Sequence, residues 1–151
     1  MRVLTVRQPW AWAIIHGGKH VENRSRNIAG DYRGPVAIHA AAREAERYHQ
    51  AAEEIYDRAG TYVLKAPQSA IVGVVDLVDV HKDDRCDDKA HPHTPGELAC
   101  SSWAMADHHH LVLTNPRPLT NPIRARGRLG LWKPDEDLEQ AIAAALAEVT
   151  R

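Results

Sequence analysis

Between Ala70 and Val80 the chain places Ile71, Val72, Val74, Val75, Leu77, Val78 and Val80, broken only by Gly73, Asp76 and Asp79. β-Branched content at this density points to a strand rather than a helix. The run is longer than the usual strand of about 5–6 residues. Gly73 inside it marks a bend or bulge, where a missing side chain lets the backbone change direction. A long, bent, apolar strand is the element that a curled sheet or small barrel needs.

The rest of the chain supplies short pieces to go with it. Arg2–Arg7 and Pro35–Ala41 read as strands, the second strongly apolar, and His20–Arg26 reads as extended. His109–Thr114 is a further strand, broken by Asn115-Pro116-Arg117-Pro118, and Ile123–Trp132 is extended with bends at Gly127 and Gly130. Helical spacing appears three times. Pro9 opens a short helix in which Trp10, Ala13, Ile14 and Gly17 share a face, and Gly17-Gly18 end it with a left-handed cap. Arg43–Ala59 carries a stripe of Tyr48, Ala52, Ile55 and Ala59, stopped by Gly60. Asp135–Val149 is amphipathic, with Asp135, Glu136 and Asp137 at its positive end. About six strands and three helices without βαβ alternation predict an α+β fold, a small mixed β-barrel with flanking helices.

At 151 residues the chain is one ordinary domain. The reading assigns 1–134 to the barrel, with a long polar loop at 82–107, and 135–151 to a C-terminal helix packed on the same domain. Two cysteines make no disulfide framework, no apolar run approaches a bilayer span, and the N-terminus begins a strand rather than a signal peptide. A cytoplasmic protein without membrane contact is the expectation. The net charge of −1 excludes a uniformly basic nucleic-acid binder, so any such surface must be local. One local patch stands out. From Pro116 to Lys133 the charged residues are Arg117, Arg124, Arg126, Arg128 and Lys133, with no acid among them. Alternation puts Arg124, Arg126 and Arg128 on one side of an extended segment, a suitable phosphate track.

The chemistry-bearing residues concentrate near the start, in Gln8-Pro9-Trp10-Ala11-Trp12 and Gly17-Gly18-Lys19-His20-Val21-Glu22-Asn23-Arg24. Glu22 and Arg24 lie two apart on a strand and so share a face. A carboxylate beside a guanidinium fork offers both acceptors and donors to a base edge. Lys19 follows the glycine turn near the pocket mouth, where it either pairs with Glu22 or reads a phosphate or base. Trp10 serves as a stacking platform or a core plug. Gln8 offers its amide to a base edge or caps the turn. His39, ending an apolar strand, is a buried hydrogen-bonded residue or a ligand contact. Asp76, in its apolar run, needs a partner, for which Arg24 or Lys19 qualifies.

In the charged stretch, Cys86, His91, His93 and Cys100 are weak zinc candidates. Their C-x4-H-x-H-x6-C spacing matches no standard finger or knuckle. A polar loop with incidental histidines is the plainer reading, and no cofactor is expected.

Several segments in order carry a resemblance: Leu4-Thr5-Val6-Arg7-Gln8-Pro9-Trp10-Ala11, Gly17-x-Lys19-x-Val21-Glu22-Asn23-Arg24, and Tyr32-Arg33-Gly34-Pro35-Val36-Ala37-Ile38-His39-Ala40. Ile71-Val72-Gly73-Val74-Val75-Asp76, Asn115-Pro116-Arg117-Pro118-Leu119 and Gly127-Arg128-Leu129-Gly130-Leu131-Trp132 follow. Together they resemble the ASCH family (activating signal cointegrator homology) of the PUA-like β-barrel superfamily. The resemblance implies a barrel whose cleft faces the first helix, and RNA, DNA or a modified nucleobase or nucleoside as the ligand class. It does not fix a reaction. Some small relatives hydrolyse N4-acetylcytidine, some are reported as nucleases, and others only bind. In the hydrolytic relatives a lysine after the glycine turn helps activate water with a threonine and a glutamate. Lys19 matches that lysine, whereas Glu22 stands in the threonine's place. On this reading Gln8, Trp10, Lys19, Glu22, Arg24 and His39 form the ligand pocket, and Arg117, Arg124, Arg126 and Arg128 take the backbone. Lys19, Glu22 and Asp76 carry catalysis if the protein is a hydrolase or nuclease. A scaffold for protein partners is the remaining alternative.

Overall fold

In the computed structural model, residues 1–63, 66–82 and 101–149 are described. They form β1 (Arg2–Val6), α1 (Trp10–His16), β2 (Val21–Arg24), β3 (Gly34–Ala40), α2 (Tyr48–Ala59), β4 (Ala70–Lys82), β5 (His109–Arg124), β6 (Leu131–Trp132) and α3 (Glu136–Val149). The strands make one sheet in the order β2-β5-β4-β3-β1-β6. Only β1 and β3 run parallel; the other neighbours are antiparallel. The expected six strands and three helices are all present, as a curled half-barrel of mixed pairing.

β4 is the spine. It pairs with β3 on one side and β5 on the other, and its register slips between Ile71 and Gly73, Val74 and Asp76, and Leu77 and Asp79. Each slip sharpens the local twist and curls the sheet. Gly73 sits where a side chain has no room. A Cβ there would lie 2.6 Å from the Ile15 side chain and 2.8 Å from the Arg117 carbonyl oxygen. The glycine therefore lets α1 pack directly onto the bend.

Three sequence expectations need correction. Ile123–Trp132 is not one extended segment, since Ile123 and Arg124 close β5, Leu131 and Trp132 make β6, and 125–130 is a loop. Asn115-Pro116-Arg117-Pro118 does not break the strand; β5 runs continuously from His109 to Arg124. Among the described residues β2 pairs with β5 only up to Val112, with one further bond from the Leu113 N–H to the His20 carbonyl, so at Pro116 and Pro118 that edge of β5 meets no described strand and proline costs no ladder bond there. Asn115, at φ 51°, absorbs the register slip. The second helix begins at Tyr48, not Arg43, because the preceding residues are held by another contact, the Ala45 N–H donating to the Gln8 carbonyl 2.8 Å away. Arg43 consequently lies in a loop.

Two cores flank the sheet. One holds Leu4, Val6, Ile14, Ile15, Val36, Ile38, Val75, Leu77 and Leu111 under α1. The other joins Val3, Ile71, Val74 and Trp132 to Ile142, Leu138 and Leu146 of α3. A smaller cluster ties Ala13 and Val21 to Ile55 of α2 and to Trp103. At the helix ends, the Asp135 carboxylate accepts the Leu138 N–H at 2.9 Å and Gly60 closes α2 in the left-handed conformation. At α1 the left-handed residue is Gly18, one beyond the cap. No described helix is long and apolar enough to cross a membrane.

Candidate functional site

Among the described residues the sheet is open, with β2 and β6 as its two edge strands. A trench runs along this seam. On one side stand Glu22, Asn23 and Arg24 of β2. On the other stand Thr5 and Arg7 at the end of β1, with Arg128 and Leu129 ahead of β6. This central part has a volume of about 510 Å³. It opens at one end into a basin of about 760 Å³ that shares Thr5, Arg7, Arg128 and Leu129 with it. At the other end, past Trp10 and Glu22, it meets a slot of about 190 Å³. The two larger volumes lie within the range typical of ligand sites, about 300–1,000 Å³.

A charge relay crosses the seam. Lys19 is 5% exposed, and its ammonium donates to the Val21 carbonyl and to Glu22 Oε2, the latter at 3.0 Å. The other carboxylate oxygen of Glu22 faces Arg24 Nη2 at 3.1 Å. The same Nη2 reaches the Thr5 carbonyl at 3.0 Å, tying β2 to β1 across the opening that backbone pairing leaves. Lys19 also lies over the Trp10 ring, 5.8 Å from its centre. Buried charges are tolerable only when paired and hydrogen-bonded, and here each has a partner. The short loop through Gly18, at φ 71°, delivers Lys19 inward. Lys19 therefore forms part of the trench floor, not its mouth.

The slot is walled by Trp10 and Trp103 with Lys19, Glu22, Asn23, Glu54 and Met105 around it. Asn23 fixes the wall. Its amide donates to the Trp103 carbonyl and its oxygen accepts the Met105 N–H, both at 2.9 Å. Arg58 lies across the ring of Trp103, 5.1 Å from its centre. The Trp10 indole beside two carboxylates, Glu22 and Glu54, and one ammonium gives a flat polar ligand a stacking surface and edge contacts, with Trp103, 8% exposed, as the back wall.

The basin is basic. Arg7, Arg43, Arg124, Arg126 and Arg128 line it. β5 ends at Arg124, and the residues to Gly130 form a loop, yet Arg124, Arg126 and Arg128 are exposed while Ala125 and Gly127 are half-buried. The alternation survives outside the strand. The loop is clamped. Ala125 donates its N–H to the Ser69 carbonyl at 3.1 Å, and its own carbonyl bonds His39 Nε2 at 2.9 Å. Since a carbonyl only accepts, His39 carries its proton on Nε2. Gly127 presses against the His39 ring so closely that a Cβ would come within 2.8 Å of it. His39, 1% exposed, is thus the buried, bonded residue of the two alternatives, and it shapes the basin from beneath.

Other sequence candidates fall elsewhere. Gln8 is 1% exposed and spends both ends of its amide on structure, accepting the Trp12 N–H at 2.9 Å and donating to the Pro67 carbonyl at 2.8 Å. Its capping alternative is the one seen. Asp76 pairs with neither Arg24 nor Lys19. Its partners are Arg117 at 2.5 Å and Asn115 at 2.9 Å, both on the neighbouring strand β5. Arg117 is thereby separated from the phosphate track, and it lines none of the three compartments. The pair is about one-third exposed, so its contribution is that of a surface bridge, roughly 0–1 kcal/mol. Asp76→Asn is expected to change thermal stability by no more than this and to leave ligand binding unaltered. A large loss of ligand binding in that variant, measured by titration, contradicts the assignment. Cys86, His91, His93 and Cys100 lie outside the described residues; among the described ones no group of three metal-ligating side chains converges.

Three trench residues escape sequence reasoning. Arg7 stands beside the Gln-Pro-Trp run and Arg43 sits inside an apparent helix. Trp103 is a lone tryptophan in a stretch of otherwise loop-like composition. That isolation was the one available signal, since a tryptophan without an apolar pattern around it must pack somewhere distant in sequence.

A family model described as the ASCH domain matches residues 4–123. Crystal structures of ASCH from Zymomonas mobilis share the fold. The unaltered protein is 15% identical, with 94% of this chain and 93% of that one covered and a TM-score of 0.50. A tyrosine-to-phenylalanine mutant gives 14% identity, coverage of 94% and 96%, and a TM-score of 0.53. A serine-to-alanine mutant gives 15%, 95% and 94%, and 0.51. No curated protein matches the chain in sequence.

Proposed function

This chain belongs to the ASCH domain family, and from that premise we propose that its open seam binds nucleic acid, taking one base in the tryptophan slot and the sugar-phosphate backbone along the arginine basin. The reading rests on one observation: a stacking slot and a five-arginine basin are joined by a single trench. A base can stack on Trp10, a contact worth about 1–3 kcal/mol, against the buried wall of Trp103. Glu22, already held by Lys19 and Arg24, keeps its remaining lone pairs for an amino group of the base. Arg7, Arg43, Arg124, Arg126 and Arg128 neutralise phosphates and set the polarity of the bound strand. Basic side chains gathered on one face reconcile such binding with a net charge of −1.

RNA, DNA and a modified nucleoside present the same base and differ in what reaches the basin. The test is equilibrium binding of short single-stranded RNA and DNA, with free nucleosides alongside, across a salt series. Affinity for the strands that falls steeply with salt supports the reading. Affinity for none of them at low salt overturns it. Hydrolysis of an acylated cytidine with Lys19 as base draws less support from the geometry. Two of the three ammonium donors of Lys19 are committed to Val21 and Glu22, and Asp76 is engaged elsewhere.

A further inference from the structure

Leu129 is the most exposed large apolar side chain among the described residues, with 97% of its surface in solvent. A single exposed leucine on a floppy loop would mean nothing. This one is held out by a loop fixed along its length. Ala125 is bonded to Ser69 and His39, Gly127 is packed on His39 and Thr5, and Arg128 lies over the Trp132 ring at 5.3 Å. Gly130, at φ 72°, then turns the chain back into β6. Leu129 borders both the central trench and the arginine basin. The loop therefore presents an apolar tip next to Arg128 and on the same basin rim as Arg126, at the junction where a strand would pass from base slot to phosphate track.

We propose that Leu129 is a wedge that inserts between adjacent bases of a bound strand, so that the trench selects nucleic acid whose bases can be unstacked. This rests on the binding reading above and adds the substrate class: single strands, bulges and mismatches over fully paired duplex. Apolar side chains flanked by basic ones act in this way elsewhere, separating a base step while the charges hold the phosphates on either side. The surroundings favour a nucleic-acid occupant because the groups beside the leucine are cations, and a strand provides the anions and the apolar ring faces together. Once its neighbour is displaced, a base is free to enter the slot between Trp10 and Trp103.

The experiment uses an oligonucleotide carrying one fluorescent purine analogue that is quenched by stacking, bound to the wild-type protein and to Leu129→Ser and Leu129→Met. Leu129 touches solvent, so neither change threatens the fold. Expected is a several-fold rise in fluorescence on saturation with wild type, kept by Leu129→Met. In Leu129→Ser the rise at saturation is lost. The preference for a bulged or single strand over a perfect duplex shrinks in the same variant. An equal rise in Leu129→Ser, or saturation of the wild type without any rise, overturns the wedge and leaves the binding reading intact. No binding of any oligonucleotide at low salt overturns both.

Discussion

Replacing Arg124, Arg126 and Arg128 together by alanine is expected to weaken oligonucleotide binding roughly a hundredfold at low salt, taking about 1 kcal/mol for each lost solvent-exposed ionic contact. All three side chains are exposed, and only Arg128 gives up a contact with the body of the fold, its place over the Trp132 ring, so the fold should survive. The salt dependence carries the sharper information. Each phosphate neutralised on a single strand contributes about 0.7 to the slope of log affinity against log salt, so the triple variant should flatten that slope by about 2. Arg117→Ala, whose guanidinium is spent on Asp76, should leave the slope where it was. An unchanged slope in the triple variant places the backbone contacts elsewhere. A flattened slope in Arg117→Ala would show that the strand wraps past the seam onto β4 and β5.

The second large effect concerns the relay under the trench. Glu22→Leu strands the ammonium of Lys19, which is 5% exposed, and removes the partner of Arg24 across the seam. Breaking a buried ion pair from one side costs about 3–5 kcal/mol, because the remaining charge stays buried without compensation. For a chain of this size that corresponds to a fall in Tm of roughly 6–20 °C. Lys19→Met alone should cost less, since Glu22 keeps Arg24. The double variant Lys19→Met/Glu22→Leu should recover part of the stability lost by Glu22→Leu, because no buried ammonium is left unpaired. If Glu22→Leu melts with the wild type, the relay is not a supporting element. If the double variant is less stable than Glu22→Leu, the pairing of Lys19 with Glu22 is not what holds the floor together.

Much of this arrangement was legible before any coordinates. The apolar run Ala70–Val80 with Gly73 inside it announced a bent central strand, because β-branched residues and an internal glycine have few other uses together. That Glu22 and Arg24 meet follows from their two-residue spacing on a strand, and the Lys19–Glu22 pair is one of the two alternatives the sequence leaves for that lysine. The alternation of Arg124, Arg126 and Arg128 held even though the backbone there is a loop. What failed depended on contacts distant in sequence. Asp76 pairs with Arg117 because β4 and β5 are neighbours in a slipped register, and neither the pairing nor the slip is written locally. The prolines at 116 and 118 looked like breakers because proline normally ends a ladder. They do not break this one, since among the described residues no strand pairs with the outer edge of β5 at that point. The tryptophan slot was half visible. Trp10 lies in the opening run, but Trp103 is brought to it by contacts distant in sequence, among them Asn23 bonding the backbone on both sides of Ala104.

The identity of the sheet's open seam as a strand-binding trench is the central claim, and backbone amide shifts on titration with a short single-stranded oligonucleotide test it most directly. The account predicts perturbations that begin together and saturate together at Thr5–Trp10, Lys19–Ser25, Trp103 and Arg124–Gly130, with α3 and the Asp76–Arg117 pair unmoved. Saturable shifts confined to α3 or to the outer edge of β5, with the seam silent, would contradict it.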